Sequence, residues 1–265
     1  MTTTTKPASV GQTLIWTISD ALVMTKRNLM YYVRLPQLLV FSTIQPVMFV
    51  LLFNYVFGGA INLPGIDYIN YLLAGIFVQA VVFGSTQTGV GLADDLSKGM
   101  VDRFRSLPMA RSAVLAGRTL ADTVRNTFVV LLMTGVGSLI GFRFQAGFLD
   151  AIAALILVVL FGLAFSWISA TIGLSVKNVE TAQVAGFIWV FPLVFASSVF
   201  VPVDTMPTAL QAFAKVNPIT VTVDTVRAFA LGWPVDASLW KSLAWIAGIL
   251  AVFVPLAVSR YRRIV

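Results

Sequence analysis

An all-α integral membrane fold is what this sequence predicts. Of its 265 residues, 58% are hydrophobic and only 11% are charged, whereas soluble domains carry about a quarter charged residues. The apolar residues fall in long unbroken runs, not in the alternating segments of about ten that mark a β-barrel. Helices fit because lipid requires every backbone polar group to be paired internally, and a helix does so segment by segment. Cysteine and histidine are both absent. That removes disulfides, thiolate chemistry, and the commonest general base and metal ligand.

Taken in order, residues 1–12 are expected to form a disordered tail rich in threonine. Residues 13–265 then form a single transmembrane domain. The N-terminus lacks a short apolar core followed by a small-residue cleavage site, so it is not read as a signal peptide. Between 13 and 33, Leu14, Ile18, Leu22, Leu29 and Val33 recur at helical spacing among Asp20, Lys26 and Arg27. This stretch is too polar to span and predicts an amphipathic helix lying in the interface. A soluble cap over the bundle is the competing reading. Six spans are expected, at 38–57, 68–92, 120–141, 149–176, 181–200 and 240–258, the first of them matching the roughly twenty residues a bilayer core needs. Pro46 is expected to kink the first of them.

The one long charged insert, 94–118, holds five of the eighteen basic residues and three of the eleven acids. Within it Met100, Phe104 and Leu107 make an i, i+4, i+7 apolar stripe, with Asp102, Arg103 and Arg105 off it. Pro108 should end that helix near Leu107. Such a helix offers an apolar knob ringed by charge to the groove of an aqueous partner. The alternative is a solvated loop whose arginines set topology or hold anionic lipid. A second helix from about Ser112 is expected to run on into the third span.

Six spans place both termini on one side. Fourteen of the eighteen basic residues fall on that side and four on the other, and the Lys/Arg bias sets orientation. The termini and the 94–118 insert are therefore expected to be cytoplasmic.

Most enzyme chemistry is missing. No glycine precedes a lysine, so there is no phosphate loop and the chain cannot hydrolyse ATP alone. There is no G-x-S-x-G elbow. No span has a charge near its centre, which argues against a proton relay. Asp122 and Arg125, at i and i+3, are expected to pair near the cytoplasmic mouth. Gly162, Ser166 and Ala170 make a small-residue face read first as packing. Asn54, Gln79, Gln87 and Asn178 are read as interhelical glue or as lining of a passage.

The connection 201–239 is unusual. Thr205 can cap, and Pro207 can open, a helix running to about Lys215. Asn217–Pro218 breaks it, and Ile219, Val223, Val226 and Ala230 form a second apolar stripe ending at Gly232. Two short apolar helices with a proline break suit a re-entrant hairpin tied by Asp224 and Arg227. An extracellular helical cap is the other reading.

The run GMVDRFRSLPMARSAVLAGR followed by a span, and the run NPITVTVDTVRAFALG before the last span, together resemble type-2 ABC exporter permeases. The resemblance is to their daunorubicin-resistance (DrrB-like) branch and covers the chain from about Thr13 onward. It implies a membrane core of two such subunits, identical or homologous, bound by two separate ABC ATPase subunits. Those subunits would hold the ATP and Mg, so no cofactor belongs to this chain. It implies further that Asp102, Arg103, Phe104, Arg105, Leu107 and Pro108 form a coupling helix seated in the ATPase. The family's glutamate-rich lead-in to the glycine is replaced here by Asp94, Asp95 and Lys98. By this resemblance the chain is a multi-pass protein of a bacterial inner membrane, exporting an amphipathic drug, lipid or secondary metabolite. A polysaccharide or glycolipid cargo, or an ATPase-independent channel or scaffold, are the alternatives. Nucleic acid is not an expected partner.

Overall fold

The computed structural model describes residues 10–61, 65–100, 111–235 and 237–264. The described elements are helical: α1 (Val10–Arg34), α2 (Pro36–Leu52) with a π-helical turn Phe53–Phe57, α3 (Tyr68–Ser97), α4 (Arg111–Ile140), α5 (Phe148–Gly173), α6 (Val179–Phe195), α7 (Thr208–Val216), α8 (Pro218–Leu231) and α9 (Ser238–Ile264). The expected coupling helix, with Asp102, Arg103, Phe104, Arg105, Leu107 and Pro108, lies outside the described residues. So do residues 1–9 of the expected tail. The first helix begins at Val10 and not at Thr13.

The central post is α3, whose apolar window is 89% buried, against 11% for the first span and 22% for α9. Every residue from Tyr68 to Gln79 is buried, because α4, α5, α6 and α8 pack around it. Without a hydrophobic drive between helices in lipid, close approach depends on small residues. A Cβ on Gly89 would collide with the Ser169 carbonyl, Gly173 would meet the Gly89 backbone in the same way, and Gly162 packs on Val81. The small-residue face of α5 is thus a packing face toward α3. Gly89→Ala should cost about 1–3 kcal/mol, the range for overpacking a tight contact. Gly135, where a Cβ would have no neighbour within 4 Å, is the matched control: Gly135→Ala should leave the melting temperature of the purified protein unchanged.

Five helices are long and apolar enough to cross a bilayer: Leu39–Phe57, Tyr68–Ser97, Ser112–Ile140, Phe148–Gly173 and Ser238–Ile264. The span expected at 181–200 is instead the 17-residue α6, about 25 Å long against a hydrocarbon core of about 30 Å. It stops at Phe195 because Asn217 Nδ2 donates to the carbonyls of Leu193 at 2.7 Å and Ala196 at 2.9 Å. The chain then continues without helix, and the Val199 carbonyl lies against Gly75 of α3. At the other end of the sequence, α9 continues past the expected end of the sixth span, 258, as far as Ile264. Arg260 there hydrogen-bonds Ser175, and Tyr261 packs with Met24, Leu92 and Leu115. The C-terminal turns of α9 and the body of α1 therefore share one end of the bundle.

The amphipathic helix leaves its large apolar residues facing outward, where an interfacial helix meets lipid, and packs on the bundle through another face. Ala21, Met24, Thr25, Asn28 and Tyr32 are buried, while Ile18, Leu22 and Val33 are exposed. Gly117 explains the choice: its missing side chain lets α4 touch Met24 and the Ala21 carbonyl. Small and polar residues make the helix contact, and the large apolar ones are left facing outward.

Candidate functional site

Two buried ionic groups hold the bundle, one near each end of α3. The first centres on Asp122, which is fully buried on α4. It accepts hydrogen bonds from the Tyr32 hydroxyl of α1 at 2.5 Å and from Thr88 Oγ1 of α3 at 2.7 Å. Arg118 Nε stands 3.4 Å and Arg125 Nη1 3.8 Å from its two oxygens. Arg125 also donates to the Gly84 carbonyl at 2.6 Å and to Asn126 Oδ1 at 3.1 Å. Its guanidinium lies 5.5 Å from the Tyr32 ring centre. One carboxylate thus binds three helices and balances two arginines. Burial, with the Asp122 charge next in weight, pushes the Tyr32 hydroxyl up to about 12, so it stays a donor throughout the physiological range.

The expected Asp122–Arg125 pair is therefore present, but it is the longer of two. Arg118, one turn back at i−4, belongs by position to the charged insert, and its spacing from Asp122 is the signal that links them. Tyr32 and Thr88 carry no local signal, since they reach Asp122 from 90 and 34 residues away.

The second group gathers on α8. Asn217 caps it through Oδ1, accepting from Ile219 N at 2.9 Å, and Pro218 occupies its first position. Ile219, Val223, Val226 and Ala230 are all buried, and Gly232 closes the helix in the left-handed conformation at φ 72°. Arg227 pairs with Asp224 at 2.9 Å and donates to the Ser198 carbonyl at 2.9 Å. It also reaches the Tyr71 carbonyl at 3.3 Å and lies 3.5 Å from the centre of the Tyr71 ring. Ser198 Oγ completes the group by donating to Asp224 at 2.7 Å. Asp224 and Arg227, expected to tie two short helices together, both lie on α8, and the contacts of Arg227 instead bind α8 to α3 and to the non-helical end of the fifth apolar segment. Thr205, expected as a cap, instead closes a single 3-10 turn by donating to the Pro202 carbonyl at 2.7 Å, and Pro207 caps α7.

Between α1, α2, α3 and α4 lies a cavity of about 880 Å³. Arg27, Arg34, Asp94, Asp95, Lys98 and Arg118 line one part of it, and Phe41, Pro46, Ala80, Phe83 and Val129 another. Gln79 and Gln87 face it as well, whereas Asn178 caps α6 by accepting from Thr181 N at 2.8 Å. From Phe83 a run of aromatic contacts leads away from the cavity. It passes Phe191 at 5.3 Å and Phe195 at 5.4 Å, then Phe200 at 5.4 Å and Phe53 at 4.2 Å. Tyr55 stands apart and exposed, and Phe77 is buried in the core against Phe142.

The family profile for the ABC-2 type transporter matches residues 20–231, which takes in both ionic groups and the cavity. The chain is 37% identical over 251 residues to the daunorubicin resistance ABC transporter permease protein DrrB1 of Streptomyces coeruleorubidus. That alignment covers 92% of this chain and 87% of the relative. It is also 29% identical over 249 residues to the probable doxorubicin resistance ABC transporter permease protein DrrC of Mycobacterium tuberculosis, covering 93% and 89%. On these matches and on its bundle of apolar helices, the chain belongs to the ABC-2 type transporter family, in the daunorubicin-resistance branch of its permeases.

Proposed function

We propose that this chain is the permease subunit of an ATP-driven exporter that moves an amphipathic drug, lipid or secondary metabolite out of the cytoplasm or inner leaflet. The observation that carries the reading is the cavity, charged on one part of its wall and apolar on another, opening near the end of the bundle that α1 and the end of α9 share. The basic bias toward that end supports cytoplasmic termini in a bacterial cell, with the inner membrane as location. Six crossings follow, the short α6 completing its passage with the non-helical turns after Phe195.

Two ABC ATPase subunits supply ATP hydrolysis, and a second permease copy or homologue completes the pathway. The least covered helix, α2, and the outward side of α6, with Ile188 and Phe191 exposed, are the faces for that second copy. Residues 102–108 seat in the ATPase, and α1 touches it. Closure of the ATPase pair then pulls on the Tyr32–Asp122 contact and so on α3 and α4. Such a stroke needs two conformations that differ in their affinity for ATPase and cargo.

The test is copurification of tagged permease with its ATPase partner, alongside stimulated ATP hydrolysis in proteoliposomes. Arg103→Ala with Phe104→Ala should reduce recovered ATPase about tenfold, a loss of about 1.4 kcal/mol of binding. Unchanged recovery and unchanged stimulation would sink the coupling assignment.

A further inference from the structure

We propose that Gln79 recognises the cargo inside the cavity. Its side-chain oxygen accepts a hydrogen bond from a neutral hydroxyl or amide N–H set in the cargo's apolar body. The inference deepens the exporter reading and rests on it. A volume of about 880 Å³ falls within the range of sites for drug-sized molecules, which are mostly apolar with a few polar groups that fix orientation. The stripe of α3 that lines this cavity runs from Gln79 and Ala80 through Phe83, Gly84 and Gln87 to Lys98. Gln87 and Lys98 are exposed, so the open end lies there. Gln79 is the innermost of the set, about 12 Å beyond Gln87 along the helix.

Gln79 is only 2% exposed, yet its Oε1 has no hydrogen-bond partner among the described residues. It therefore does not tie helices together through that oxygen. A buried acceptor left bare destabilises a fold, and an apolar residue at this position would carry no such cost. The lining beside it, Ala80 and Phe83 on α3 and Val129 on α4, has no polar side-chain atom to offer. The other polar groups of the wall are differently placed. Asn126 Oδ1 accepts from Arg125 at 3.1 Å, and its Nδ2 lies against Gly162 of α5, which does not line the cavity. On α2, Ser42 donates to the Leu39 carbonyl at 2.8 Å, and Gln45 is half-buried. Gln79 thus presents a bare acceptor to the inner end of the cavity, and a donor that enters there satisfies it. The donor is neutral. Asp94 and Asp95, the lining acids among the described residues, stand about 22 Å away along α3, and an amide oxygen does not neutralise a charge taken out of water. Any charge on the cargo stays toward the open end.

The test uses the full chain in phosphatidylcholine nanodiscs, with naphthol and its methyl ether as probes and the binding to empty nanodiscs subtracted. The two probes differ by a single O–H donor. Naphthol should bind about tenfold more tightly, and Gln79→Leu should bring the two to equal affinity by weakening naphthol alone. The melting temperature of Gln79→Leu should not fall, since no bond is lost, whereas the loss of a tie between helices would lower it. Equal binding of the two probes to the wild-type chain, or no binding of either, means that water alone satisfies Gln79 and overturns the proposal. A preference that survives in Gln79→Leu overturns it as well. The wild-type comparison stands even where the variant fails to fold. The exporter reading is scored separately. ATP-driven export by a chain that does not distinguish the probes sinks the role of Gln79 alone, whereas lost ATPase coupling bears on the exporter reading alone.

Discussion

Asp122→Ala should destabilise the protein by about 3–5 kcal/mol, the cost of breaking a buried charge group by removing one partner, and should abolish transport. The expected size follows from what the carboxylate balances. It is fully buried, and with it gone two guanidiniums on α4 have no counter-charge. The Tyr32 and Thr88 hydroxyls lose their acceptor at the same time. Tyr32→Phe removes the hydroxyl that donates to Asp122 and accepts from Arg125 but leaves the charges in place, and should cost about 1.5–3 kcal/mol. Asp122→Asn keeps an acceptor for Tyr32 or Thr88 but not the charge, and should fall between the two. Thermal unfolding in detergent ranks the three variants. Protease cleavage within α1 reports the second consequence, because Tyr32 is that helix's polar anchor on α3 and α4. An Asp122→Ala protein with wild-type melting temperature and an intact α1 would show that the group does not hold the bundle together.

Arg227→Met should be the second large loss, about 3 kcal/mol or more. The Ser198 carbonyl it serves is buried in a non-helical turn, where a lost donor costs about 1–3 kcal/mol, and Asp224 loses its partner too. The stacked contact with the Tyr71 ring goes as well. Methionine approaches the side chain in length, so the change tests the donors and the charge more than the packed volume. The pair is asymmetric. The Asp224 side chain is 47% exposed and that of Arg227 only 3%, so solvent screens the acid. Asp224→Asn keeps an acceptor for Arg227 and Ser198 but leaves a buried guanidinium without its counter-charge, so it should cost about 1–3 kcal/mol, less than Arg227→Met. Equal losses for the two variants would mean that the ion pair, and not the arginine's grip on two backbone carbonyls, holds α8 in place.

Much of the architecture can be read from residue order. The Asn217–Pro218 start, the apolar stripe to Ala230 and the Gly232 stop of α8 are all local signals, and the structure keeps each of them. The start of α3 and, to within three residues, both limits of α5 follow likewise from their apolar runs, whereas α3 runs past its expected end at 92 through Asp94 and Asp95 to Ser97. What residue order hides depends on contacts made across the chain. The end of α6 is set by an amide 21 and 24 residues further on, which no pattern within 181–200 could reveal. In α1 the apolar spacing marks the outward face of an interfacial helix and gives no sign of which residues meet the bundle. Lipid rewards no apolar face over another, and Gly117 decides which side can approach. Of the ionic group around Asp122, the two partners on α4 are within reach of helical spacing. The hydroxyls of Tyr32 and Thr88 need the fold.

The borrowed end of α6 has a consequence for the order in which the protein is made. The carbonyls of Leu193 and Ala196 receive their donor from Asn217, a residue the ribosome adds only after the whole segment has been synthesised. Until then the last turn of α6 has bare acceptors near the membrane surface, where water can satisfy them. The end of α6 is thus capped only once Asn217 is in place, and because the same side chain caps the start of α8, one residue fixes the limit of one helix and the beginning of another.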